Sequence, residues 1–102
     1  MMTKQVATIA EKKNATKVAK SQLDRLSVRM TVAVLRKALS DSSADALTLF
    51  RVADAVCRCL RTVPQTDQIV SALYWANSAI AYDDDEGLAR FCLAKALEAL
   101  TC

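Results

Sequence analysis

The sequence predicts an all-α protein: a four-helix bundle made of two antiparallel helical hairpins. Three observations point there. The chain has one Gly and one Pro in 102 residues, whereas turn-rich β folds need many of both. Alanine, the best helix former, makes up much of its hydrophobic content. Apolar residues recur at helical spacing in four segments from Leu23 onward. The length is that of one domain, divided into a basic N-terminal arm over residues 1–20 and a bundle domain over 21–102.

The arm sets Val6, Ile9, Ala10 and Val18 among Lys4, Lys12, Lys13, Lys17 and Lys20. Propensity permits a helix, but little apolar surface is available to dock it. The arm is expected to be partly disordered or helical and to order on a partner.

The segment Leu23–Leu39 is expected to be the central helix. It holds no Gly or Pro. At about 100° per residue, Leu23, Leu26, Met30, Ala33 and Val34 form one apolar stripe. Val28, Val32, Leu35 and Leu39 form a second, on another side. Arg25, Arg29 and Arg36 fall within about 40° of one another on the strip that remains. A helix apolar on two sides is expected to touch neighbours on both, in its own bundle or in a second copy of the chain.

Asp41-Ser42-Ser43 breaks the pattern, and Ser42 or Ser43 is expected to cap the next helix, with Asp45 suiting its positive end. That helix, about 44–62, has a core face of Leu49, Val52, Ala53, Val56, Leu60 and Val63, with Cys57 at its edge. Asp54 precedes Arg58 by four residues, the favourable order for an ion pair. Pro64 separates it from a third helix over about 66–82, which Thr66 and Asp67 can start. Its core stripe is Ile69, Ala72, Leu73, Ala76 and Ile80, whose alanines are expected to let another helix approach closely. The acidic run Asp83–Glu86 marks the start of the last helix, about 85–100, whose face is Leu88, Ala89, Cys92, Leu93, Ala96, Leu97 and Leu100. This last hairpin resembles a single tetratricopeptide unit at Ala89, Leu93 and Ala96, without the glycine and proline of such units, and no function is taken from it.

Charge is asymmetric. Residues 1–40 carry six Lys and three Arg against two acids, a net of +7; residues 41–102 carry five cations against nine acids, a net of −4. A basic half suits nucleic acid or an acidic partner; the two halves can also attract each other.

No catalytic, metal or cofactor site is expected. The chain has no His, so His-based triads and His metal sites are excluded. Cys57 and Cys59 point about 200° apart on a helix, which does not suit one shared ion. A calcium loop with Gly87 as its sixth residue would need an acid where Leu93 stands. The longest uncharged run, Gln68–Tyr82, is too short and polar to span a bilayer, so no membrane partner is expected. No signal peptide is read at the start, and a cytoplasmic protein with reduced thiols is expected.

The predicted partner-binding residues are Arg25, Arg29 and Arg36, together with Trp75, Tyr82 and Phe91, which lie off their local core stripes. The function expected is that of a small non-enzymatic helical binding protein: an adaptor, inhibitor or chaperone-like regulator with a protein partner, itself a homodimer. The alternative is a dimeric nucleic-acid-binding regulator using the basic first 40 residues. No aromatic residue interleaves with those charges to stack bases, which weighs against it.

Overall fold

A computed structural model of the chain describes the backbone of residues 2–102 and the side chains of residues 20–102. Four helices follow one another: α1 Met2–Ser40, α2 Ala46–Leu60, α3 Asp67–Ala81 and α4 Glu86–Thr101. The expected basic arm falls, apart from Lys20, on side chains outside the described residues.

Local chemistry sets the helix starts. Asp45, extended at φ −85°, accepts from the Thr48 amide at 2.8 Å and caps α2. The serines expected there serve the turn before it instead: the Asp41 carboxylate accepts from the amide and hydroxyl of Ser43. Thr66 caps α3 by accepting from the Ile69 amide at 3.3 Å. Asp85 caps α4 by accepting from the Leu88 amide at 3.1 Å. Each cap satisfies a backbone N–H that the helix itself leaves unpaired. At the end of α2, the Gln65 amide donates to the carbonyls of Leu60 and Val63, both at 2.9 Å, and closes the turn into α3.

The helices form a ring. Contacts join α1 to α2, α2 to α3, α3 to α4 and α4 to α1, and α2 also meets α4 across the ring, while among the described residues α1 and α3 lie on the wider diagonal. The pairs α1–α2, α4–α1 and α3–α4 run antiparallel. The Cys59 thiol, near the end of α2, donates to the Ser27 carbonyl at 3.6 Å. Arg90, near the start of α4, donates to the carbonyls of Asp41 at 2.9 Å and Ala44 at 2.8 Å, beyond the end of α1. The Gln68 amide, at the start of α3, donates to the Cys102 carbonyl at the end of α4.

The core sits on the ring's axis. Its largest fully buried side chains are Leu35, Leu49, Val56, Cys57, Leu60 and Leu93. Fully burying one such leucine stabilises the fold by about 1.5–3 kcal/mol. The α3–α4 contact is the most extensive. Ala72, Ala76 and Ala79 on α3 are buried with Ala89, Cys92 and Ala96 on α4, and small side chains let two backbones come close. Leu88, expected in the core face of α4, is instead 42% exposed in its first turn. Among the described residues, no helix is long and apolar enough to cross a membrane.

Candidate binding surface

The expectation that α1 is the centre of its own bundle is corrected by the ring. It occupies one corner and buries one stripe only. Leu35, Ala38 and Thr31 are buried, with Val28 and Leu39 packed against the core. Thr31 brings a hydroxyl into this face and satisfies it within the helix, by donating to the Ser27 carbonyl at 2.8 Å. The other stripe faces solvent: Leu23, Leu26, Met30 and Val34 are between 42% and 61% exposed, with Ala33 exposed among them. Leaving four large apolar side chains in a row on one face is unusual for a chain that could bury them.

The stripe continues onto α2. Met30, Thr31 and Val34 line a shallow groove of about 160 Å³ with Ala55, Val56 and Cys59. Ala55 is the small residue on the α2 side, which leaves room above the helix junction. Thr31 uses its hydroxyl on Ser27, and the Cys59 thiol is spent on the same carbonyl. The groove therefore offers almost nothing polar.

Cations flank it. On one side run Arg25, Arg29 and Arg36, all exposed. Arg29 stands three residues after Leu26 and four before Ala33, and Arg36 three after Ala33, so helical spacing sets this edge directly beside the stripe. On the α2 side, Arg51 and Arg58 stand four before and three after Ala55, again one turn away and exposed. Asp54 pairs with Arg58 at 3.1 Å, as the i,i+4 spacing predicted. Among the described residues, no carboxylate lies in salt-bridge range of Arg25, Arg29, Arg36 or Arg51.

Arg25 and Arg29 also border a second hollow. With Val28, Val63, Ile69 and Leu100 they line a cleft of about 420 Å³ at the end of the bundle, between α1, the α2–α3 turn and the end of α4. Arg36 lies beyond it.

The aromatic residues are elsewhere. Trp75 on α3 meets Phe91 on α4 edge-to-face, ring centroids 6.0 Å apart, and Lys95 stands 5.7 Å above the Phe91 ring. Tyr74 joins from the other side, its ring edge-on to Trp75 at 5.2 Å. Tyr74 was not among the expected partner-binding residues, because two consecutive helix positions point about 100° apart; its bulk carries it onto its neighbour. Tyr82, which was among them, stands at the C-terminal cap of α3, two turns from Trp75. Five of the six expected site residues thus divide between two surfaces, and Tyr82 stands apart from both. The arginines belong to α1, and Trp75 and Phe91 to the α3–α4 face. Trp75 is half-buried and packs against the core, so part of its bulk is structural.

The thiols follow burial. Cys57 and Cys92 are in the core, and burial pushes both pKa values up. The Cys57 thiol donates to the Asn77 side-chain oxygen at 3.5 Å. Cys59 is partly buried in the groove and Cys102 is exposed. No protein-family model, curated protein or solved structure matches the chain.

Proposed function

We propose that the protein is a small non-enzymatic helical binding protein, an adaptor, inhibitor or regulator that holds a protein partner on the outer face of α1. The observation that carries this reading is the exposed stripe Leu23, Leu26, Met30 and Val34. Keeping it in water forgoes stabilisation that burial would supply. A partner that covers it recovers that free energy on binding. The arginine edge beside it supplies orientation and on-rate rather than most of the affinity. The aromatic cluster at Trp75 and Phe91, on α3 and α4, is a second candidate surface.

The test is capture from native lysate, with and without nuclease treatment, by the wild-type chain and by Met30→Glu. The expected outcome is a protein partner held by the wild type and lost by Met30→Glu, with helical content equal in the two. A partner retained equally by both would refute the assignment to this face. Capture that vanishes on nuclease treatment would transfer Arg25, Arg29 and Arg36 to nucleic acid, whose binding also falls steeply with salt.

A further inference from the structure

We infer that the occupant of the α1–α2 face is an amphipathic helix with acidic residues on both flanks of its apolar seam. This rests on the reading of the α1 face as a binding surface and names the chemistry of what binds there. Three features select it. From Leu23 to Val34 the stripe is about 17 Å long at 1.5 Å per residue, which matches three turns of a second helix. The groove beside Met30 and Val34, with Ala55 on its far wall, is apolar and concave along the junction of two helices. Side chains at i, i+4, i+7 and i+11 of an incoming helix fit such a seam. Finally, both rims are cationic: Arg25, Arg29 and Arg36 on one, Arg51 and Arg58 on the other. Of these, only Arg58 lies in salt-bridge range of a carboxylate among the described residues.

The rims weigh against a second copy of the chain. Two α1 helices paired antiparallel across a two-fold axis set like edge against like edge, so the arginines of one copy face those of the other. Paired parallel, they face the other rim, which carries Arg51. Like charges at such positions destabilise a pair, as on any helix surface. A bilayer is also a poorer match. The exposed apolar side chains of the stripe include none of the Trp or Tyr that anchor interfacial helices, and a lipid surface gains nothing from a groove.

Three labelled helical peptides of eighteen residues test this by fluorescence anisotropy at low and moderate salt. All share one scaffold. The first has leucine at the seam and glutamate on both flanks; the second has leucine with lysine flanks; the third has glutamate flanks with serine at the seam. The expected result is binding of the first, at least about tenfold weaker binding of the second, since one close charge contact is worth about that much, and no binding of the third. Met30→Glu abolishes binding of the first. Arg25→Glu/Arg29→Glu/Arg36→Glu reverses the preference toward the lysine-flanked peptide. Equal affinity for the first two, both lost in Met30→Glu, overturns the acidic partner while leaving the face a binding surface. Binding unaffected by Met30→Glu, or no binding of the first peptide, overturns the assignment of a helix to this groove. Light scattering that shows a dimer dissociated by Met30→Glu assigns the face to a second copy and also overturns it. A lysate partner retained equally by the wild type and Met30→Glu, by contrast, refutes the binding face itself.

Discussion

Two substitutions on α1, five residues apart, separate its two apolar stripes. Leu35 is 0% exposed and touches the core of the ring; Met30 is 59% exposed. Leu35→Ala removes buried methyl groups and leaves a cavity that the surrounding helices fill only in part. Such changes cost about 2–5 kcal/mol, a large share of the roughly 5–15 kcal/mol that stabilises a domain. Each kcal/mol moves the Tm of a chain near this length by about 4–8 °C. Met30→Gln keeps the side-chain length and the helix propensity and exchanges one solvated group for another, so the change stays within about 0.5 kcal/mol. Urea unfolding followed by far-ultraviolet circular dichroism, with the single Trp75 as a second probe, measures both. A loss of 2 kcal/mol or more in Met30→Gln, or melting that depends on protein concentration, would refute the reasoning, because the stripe would then be buried in the free protein. A neutral Leu35→Ala would refute it from the other side, because α1 would not dock by that face.

Other outcomes follow from single contacts. Arg90 donates to two carbonyls of the α1–α2 turn and to Glu86 at 3.1 Å. Arg90→Ala is expected to cost about 1–3 kcal/mol, read as a lower urea midpoint and as faster hydrogen exchange at the start of α2; Arg90→Lys restores only part of it, since an ammonium lacks the planar fork. The Ser43 hydroxyl and amide hold the Asp41 carboxyl below its ordinary range, and the Thr48 amide does the same for Asp45. Folded pKa values below the unfolded ones mean that this stability is present above about pH 4 and is lost as pH falls through the folded values. A pH series of thermal melts should show that acid limb, and Asp45→Asn should flatten it. In a thiol titration of the native protein, Cys102 should react first and Cys59 more slowly, while Cys57 and Cys92 should react only with denaturant present; rapid reaction of all four would contradict the burial of the two core thiols.

Much of the fold was legible in the chain because helix starts are local. Asp45, Thr66 and Asp85 each act on an amide three residues ahead, so a short window holds all the atoms involved. Asp45 displaced the serines expected at α2 for a local reason too: Asp41 engages Ser43 in its own turn. The alanine faces of α3 and α4 were visible as a pattern, and their close packing follows from side-chain size alone. The candidate surface was less legible. Periodicity displays both apolar stripes of α1 but carries nothing about which one meets a neighbour. The aromatic residues had the same difficulty. Trp75 and Phe91 meet because α3 and α4 are antiparallel partners, whereas Tyr82 shares a helix with Trp75 and is two turns too far along it.

The division is therefore between residue spacing and residue neighbours. Sequence by itself determined four helices, the arginine edge and the presence of two apolar stripes on α1, because each depends on atoms within a few residues of one another. Only the tertiary structure decided that the Val28–Leu35–Leu39 side packs and that the Leu23–Met30–Val34 side stays in water beside Ala55 and Cys59 of α2. That choice is made by how the volumes of four helices close a ring. At its corner α1 meets only α2 and α4, both on one side, and has solvent on the other, so its second apolar stripe is left for something else.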